Sequence, residues 1–170
     1  MPRPIVAFVR TVDAVNYRIG RFAMYLFLAL AAILLWSTFS RVVLGMPVNW
    51  ALEMSQFVLS AYYLLGGAYS MQMDGHVRMD LFWGRMTPRG RATIDAFTIL
   101  AVIFYLVFLL FGGLSSTQYA IQYKQVNYSA WSPLLWPIKV IMTFGIFMML
   151  LQTIATFFKD VAAARGKPIA

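Results

Sequence analysis

The sequence contains no cysteine, one histidine and six acidic residues in a chain of 170. Without cysteine, the chain has no disulfides, no thiolate metal sites and no cysteine nucleophile. A Ser-His-Asp set, a phosphate-binding loop and a metal-ligand cluster are also missing from the sequence. No polar segment is long enough to form a catalytic domain. We therefore expect neither enzymatic activity nor a bound cofactor.

Hydrophobic residues make up 61% of the chain, against 12% charged residues. They form four long runs that are almost free of charge, at residues 22–40, 57–71, 96–114 and 138–158. A membrane-spanning helix needs about 20 apolar residues, so four spans occupy most of the chain. We predict an all-α integral membrane protein with one membrane domain over residues 1–170. The predicted spans cover residues 22–44, 50–73, 92–118 and 134–158.

The positive charges are concentrated in alternate connections between the four runs. Eleven of the fourteen lysine and arginine residues lie in the N-terminal segment, the middle connection and the C-terminal tail 159–170. The other three are Arg41, Lys124 and Lys139. By the positive-inside rule, this distribution places both termini and the middle loop in the cytosol. Topology thus accounts for the net charge of +8, and we expect no nucleic-acid binding.

Two segments outside the spans have an amphipathic helical pattern. Residues 1–21 carry apolar side chains on one face and Arg10, Asp13 and Arg21 on the other, which is typical of an interfacial helix. Arg10, Asp13 and Arg18 also interrupt any signal-peptide core, so we expect the first span to be retained. In the middle cytosolic loop, residues 79–86 favour a second interfacial helix.

Pro88 starts a helix that is too long for a hydrocarbon core of about 30 Å, so we expect the spans to be tilted.

Three ionisable residues, Glu53, Asp95 and Lys139, lie within or beside the spans. Charges inside a membrane are costly and often functional. Glu53 is predicted in the first turn of the second span, near the outer face, where the helix dipole favours an anion. Lys139 can reach outward from the start of the fourth span, and Asp95 lies where the third helix is expected to project into the cytosol. Because none is placed at the midplane, we interpret these charges as structural or partner contacts rather than a transport relay.

Small residues recur at helical spacing on the spans. Gly66 and Ser70 are four residues apart on the second span, and Gly112 and Ser116 are four apart on the third. This spacing lets helix backbones approach closely. The close contacts are either among the four helices themselves or with another membrane protein, and the sequence leaves both open.

Several motifs resemble one transporter family. Trp50-x-x-Glu53 begins the second span, Leu65-Gly66-Gly67-Ala68-Tyr69 lies within it, and Gly75-His76-Val77-Arg78-Met79-Asp80-Leu81 follows it. Together with the four-span layout and the Ser132-Pro133 and Trp136-Pro137 start of the last span, they resemble the small membrane subunit of TRAP transporters, the DctQ-like family. That family often has two adjacent acids at the first motif. This chain has Leu52-Glu53, so only the second acid corresponds.

The resemblance implies a non-catalytic scaffold subunit in a bacterial inner membrane. Such a subunit pairs with a large multi-span permease that carries the substrate and sodium sites, and a periplasmic binding protein delivers an organic acid. Membrane lipids are its further partners. The residues inferred to contact a partner or to organise the loop are Trp50, Glu53, Gly66, Gly67, His76, Arg78, Asp80 and Lys139.

Two other classes of protein fit the residues less well. A self-sufficient small exporter would act as a homodimer and couple protons through Glu53. However, Glu53 is close to the outer end of its span, and the chain is long for that class. A quinone- or haem-binding anchor of a redox enzyme would need axial ligands within helices, whereas His76 lies in a loop.

Overall fold

Four α-helices account for most of the described chain. The computed structural model describes residues 3–73 and 88–164. The helices are α1 (Arg3–Val43), α2 (Ala51–Gln72), α3 (Pro88–Gln122) and α4 (Trp136–Ala164). Within the described residues, α1, α3 and α4 are long and apolar enough to cross a membrane, by length and composition. The all-helical prediction is confirmed, and the helices are compatible with a membrane protein.

The first helix is longer than the sequence indicated. Residues 3–21 are helical, as predicted, but α1 continues without interruption to Val43, so they are not a separate element. The first part of the apolar face of this segment is buried against α4, where Val9 and Val12 pack on Ala155. The face that suggested a position at the membrane surface therefore has a protein neighbour. An interfacial location for the segment stays a prediction.

The ends of α1 and α3 follow the glycine and proline signals in the sequence. α1 ends just before Gly45, whose φ of +65° lies in the left-handed region that glycine adopts without strain. The Ser40 hydroxyl closes this turn by donating to the backbone oxygen of Met46 at 2.8 Å. α3 begins at Pro88, as predicted, because proline suits the first helical position.

A short hairpin-like connection joins α3 to α4. Val126 and Leu134 form an isolated antiparallel bridge. The backbone N–H of Leu135 donates to the oxygen of Gln125 at 2.9 Å. Because this connection extends to residue 135, α4 starts at Trp136, slightly later than predicted.

Helix α4 contacts all three other helices. It packs against α3 through Leu106, Ile146 and Leu150, which form one buried apolar cluster. Against α2, the small size of Gly67 allows a close approach to Met149. These contacts place α4 at the centre of the bundle, antiparallel to α3 and parallel to α2.

Helices α1 and α2 form an antiparallel pair. The ring of Tyr17 lies 5.8 Å from that of Tyr69, and the ring of Phe27 lies 6.2 Å from that of Tyr62, measured between centroids. The bundle therefore has two ends. We call them the terminal end, where α1 begins and α4 ends, and the distal end, where α2 and α4 begin.

Large apolar side chains cover much of the outer surface. On the second half of α1, the exposed set includes Phe22, Tyr25, Phe27, Leu28, Leu35 and Trp36. On α3 it includes Phe97, Phe104, Tyr105, Phe108 and Phe111. Apolar surface on this scale is typical of a face that meets lipid or another protein.

Candidate functional site

At the distal end, the two residues of the Trp-x-x-Glu motif have different surroundings. Trp50 precedes α2 and is exposed. Glu53 lies in the first turn of α2, is 6% exposed, and its Oε2 atom has no hydrogen-bond partner among the described residues. Electrostatic support comes from the helix N-terminus, where the backbone dipoles favour an anion. Trp50 is thus accessible to a neighbour, whereas Glu53 is enclosed by the bundle.

Lys139 lies in the first turn of α4, at the same end of the bundle. Its Nζ donates to Oε1 of Gln125 at 2.8 Å and to the backbone oxygen of Ser116 at 3.5 Å. The hairpin-like connection positions Gln125 for this contact. The next residue of α3 is Thr117, whose hydroxyl donates to the backbone oxygen of Lys139 at 3.2 Å and lies 2.9 Å from the Thr143 hydroxyl. These bonds tie the distal ends of α3 and α4 together.

The glycines of the small-residue pattern divide into two groups. A Cβ atom added to Gly67 would lie 2.9 Å from Met149 Sδ, and one added to Gly145 would lie 3.0 Å from the backbone of α2. A Cβ added to Gly66 or Gly112 would meet nothing within 4 Å. Gly67 and Gly145 therefore serve packing inside the bundle, while Gly66 and Gly112 face open space.

Two grooves on the surface contain these open glycines. The α1–α2 groove, about 580 Å³ in volume, includes Gly66 together with Tyr62 and Tyr63. The α3–α4 groove, about 370 Å³, includes Gly112 and is also lined by Lys139. The open glycines thus lie in two separate surface depressions on different helix pairs.

A chain of polar contacts joins α1 to α4 near the terminal end. Lys159 Nζ lies 2.7 Å from Asp13 Oδ2 in a salt bridge. Asp13 Oδ1 accepts a hydrogen bond from Gln152 Nε2 at 3.0 Å, and Gln152 Oε1 accepts one from Asn16 Nδ2 at 2.7 Å. Asn16 and Gln152 are 1% and 0% exposed. We call these four residues the polar network.

Helix spacing explains how the polar network forms. Asp13 and Asn16 are three residues apart on α1, and Gln152 and Lys159 are seven apart on α4, so each pair shares one helix face. Because α1 and α4 are antiparallel, the two faces meet with their polar residues in matching order. The pairing matters because a buried polar group without a partner is costly.

Sequence reasoning missed most of the polar network. It placed Asp13 on the polar face of residues 1–21, but it did not identify Asn16, Gln152 or Lys159 as partners. A signal was available in Gln152, the one amide within the apolar run 138–158. Such a residue in a span usually hydrogen-bonds across a helix interface.

Two pairs of ionisable side chains lie at opposite ends of the bundle. Asp13 and Lys159 are at the terminal end, and Glu53 and Lys139 are at the distal end. Across residues 3–73 and 88–164, no group of three or more His, Cys, Asp or Glu side chains is found that could hold a metal ion. The arrangement is suited to holding helices in fixed relation to one another.

The predictions for the middle loop lie outside the described residues. They concern His76, Arg78 and Asp80, and the interfacial helix over residues 79–86.

Comparison with known protein families finds a match over most of the chain. The family described as "Tripartite ATP-independent periplasmic transporters, DctQ component" matches residues 14–163. The matched region includes α2, α3, residues 14–43 of α1 and all of α4 except its last residue. No curated protein sequence matches the chain.

Proposed function

The chain belongs to the DctQ family of TRAP transporter components, and from this premise we propose that it is the non-catalytic small scaffold subunit of such a transporter. It pairs with the large permease subunit, which takes up an organic acid together with sodium ions. A periplasmic binding protein delivers the acid. The chain lies in a bacterial inner membrane, with both termini in the cytosol.

The observation that carries the scaffold role is that polar bonds hold the bundle at both ends. The polar network joins α1 to α4 at the terminal end. The bonds of Thr117, Thr143 and Lys139 join α3 to α4 at the distal end. A bundle held in this way keeps its shape while a neighbouring protein moves against it.

The outer surface supplies the area that a permanent membrane partner needs. The exposed aromatic residues of α1 and α3 offer wide apolar contact surface. Trp50 at the distal end is exposed, and Gly66 allows a close approach to α2. These features support pairing with a larger membrane protein.

We propose that all four helices cross the membrane. α2 has 22 residues and is about 33 Å long, which is enough for a hydrocarbon core of about 30 Å. It also lies antiparallel along α1 from the Phe27–Tyr62 contact to the Tyr17–Tyr69 contact. The distribution of lysine and arginine residues supports the cytosolic placement of both termini.

Co-purification and uptake test the scaffold proposal together. The tagged chain is co-expressed with the large permease of its transporter, and uptake is measured in proteoliposomes supplied with the binding protein. We expect the permease to co-purify with the chain, and uptake to require both membrane proteins and a sodium gradient. Uptake by the permease alone, without stable association of the chain, would contradict the proposal.

One observation favours the exporter alternative, namely the enclosed carboxylate of Glu53. Proteoliposomes that contain only this chain and carry a proton gradient separate the two functions. The scaffold proposal expects no transport, with or without Glu53→Gln. Proton-driven transport by the chain alone that disappears in Glu53→Gln would establish the exporter instead.

A further inference from the structure

The α3–α4 groove combines apolar walls with a single charged residue. Its lining includes Phe108, Met142 and Ile146, and Gly112 leaves open space along α3. Of the residues that line it, only Lys139 carries a charge. Lys139 and Ile146 are seven residues apart on α4, so the apolar part extends about 10 Å from the cation. The groove therefore suits a molecule that is apolar along its length and polar at one end.

The contacts of Lys139 do not balance its charge within the described part of the chain. Its ammonium donates to the side-chain oxygen of Gln125 and the backbone oxygen of Ser116, which are both neutral. An ammonium group has three N–H donors, so a third remains for another acceptor. The first turn of a helix is also a poor place for a cation, because the backbone dipoles there favour negative charge. An anion beside Lys139 would offset both effects.

We propose that the α3–α4 groove binds an anionic phospholipid. The lipid phosphate accepts a hydrogen bond from Lys139 Nζ, and one acyl chain lies along the groove past Gly112 and Met142. Lysine is a common ligand of phosphate, and the flexible methionine side chain adapts to an irregular apolar neighbour. Under the proposed topology the distal end is the outer face, so the lipid belongs to the outer leaflet.

The α1–α2 groove provides a contrast within the same molecule. It is larger and also contains an open glycine, Gly66, but none of the residues that line it is charged. It offers contact for an acyl chain without an anchor for a phosphate. The same substitution at the two glycines therefore distinguishes two effects. At Gly66 it fills an apolar groove that has no charged residue, and at Gly112 it fills the proposed lipid site.

Native mass spectrometry of the delipidated full chain, titrated with phosphatidylglycerol, tests the proposal. We expect one phosphatidylglycerol to bind more tightly than any others. Lys139→Gln should weaken its binding about fivefold, the contribution expected of one cation near an anionic headgroup, and Lys139→Arg should restore it. Gly112→Leu should abolish this binding by filling the groove, whereas Gly66→Leu should leave it unchanged. Helix content by circular dichroism checks that each variant is folded. If Gly112→Leu does not fold, the comparison of Lys139→Gln with Lys139→Arg tests the proposal instead.

Three results would overturn the proposal. Equal loss in Gly112→Leu and Gly66→Leu would mean that the lipid binds the apolar surface without a specific site. Displacement of the lipid by inorganic phosphate would identify a site for free anions. Unchanged lipid binding in Gly112→Leu, with loss of permease co-purification, would assign the groove to a protein partner. Because lipid binding is measured on this chain alone, its failure is distinct from failure of the scaffold proposal.

Discussion

The two halves of α1 belong to one continuous helix but have different surroundings. The first half packs on α4 and carries Asp13 and Asn16 of the polar network. The second half is more apolar, yet side chains such as Phe22, Leu35 and Trp36 are exposed. Hydrophobicity therefore does not determine which half is buried. In lipid, apolar side chains gain little by moving from hydrocarbon to protein, so polar bonds and close backbone approach hold helices together.

The same contrast separates α4 from α3. α4 carries Gln152 of the polar network and Gly145 at the contact with α2, and it lies at the centre of the bundle. α3 exposes a series of aromatic side chains, including Phe104 and Phe108, whose ring centroids are 4.6 Å apart. The exposed aromatic faces of α1 and α3 are accordingly available to lipid or to another membrane protein.

The largest effect is expected where close backbone approach is broken. Gly145→Ala adds a Cβ atom 2.9 Å from the Cβ of Leu64 and 3.0 Å from its backbone oxygen. Backbone atoms cannot move aside as the end of a flexible side chain can. Overpacking costs about 1–3 kcal/mol of stability, and we expect a loss near the upper limit. The free energy of unfolding is measured by SDS titration followed by circular dichroism.

Gly112→Ala is the matched control for this substitution, because its added Cβ meets nothing within 4 Å. We expect its free energy of unfolding to stay the same or rise by up to about 1 kcal/mol, since alanine favours the helix more than glycine does. Equal losses in the two variants would show that close approach of α4 to α2 does not stabilise the bundle.

A smaller loss is expected when the polar network is interrupted at its centre. Gln152→Leu keeps a side chain of similar size but removes both amide hydrogen bonds, to Asp13 and to Asn16. Hydrogen bonds between membrane helices contribute about 0.6 kcal/mol on average, so we expect a loss of about 1–2 kcal/mol in the same unfolding assay. Gln118→Leu, on the exposed face of α3, is the control and should not change stability. A similar loss in both variants would mean that the network does not hold α1 on α4.

Sequence patterns predicted the helices better than the contacts between them. The end of α1 near Gly45 and the start of α3 at Pro88 were predictable, because each residue restricts the backbone at its own position. The polar network was not predictable in this way. Gln152 and Asn16 are 136 residues apart, and nothing local to either indicates that α1, rather than α3, supplies the partner.

Two adjacent glycines also show that the local sequence does not predict which contacts a residue makes. Gly66 and Gly67 are adjacent, yet Gly67 packs on Met149 while Gly66 faces open space. Successive residues on a helix are turned by about 100°, so their roles depend on which direction faces the neighbouring helix. The spacing of small residues reveals that α2 can be approached closely, but the rotation of α2 in the bundle decides which glycine is used.

The smallest effect is expected at the water-accessible end of the polar network. The side chains of Asp13 and Lys159 are 22% and 32% exposed, so water and salt screen their attraction. Accessible ion pairs contribute about 0.2–1 kcal/mol, and we expect a coupling free energy in that range from a double-mutant cycle of Asp13→Asn and Lys159→Gln. The coupling should decrease at about 1 M salt, where the screening length is about 3 Å. A coupling free energy that exceeds the loss of stability in Gln152→Leu, or that does not respond to salt, would contradict this expectation. The exposed ion pair, rather than the buried amides, would then hold α1 on α4.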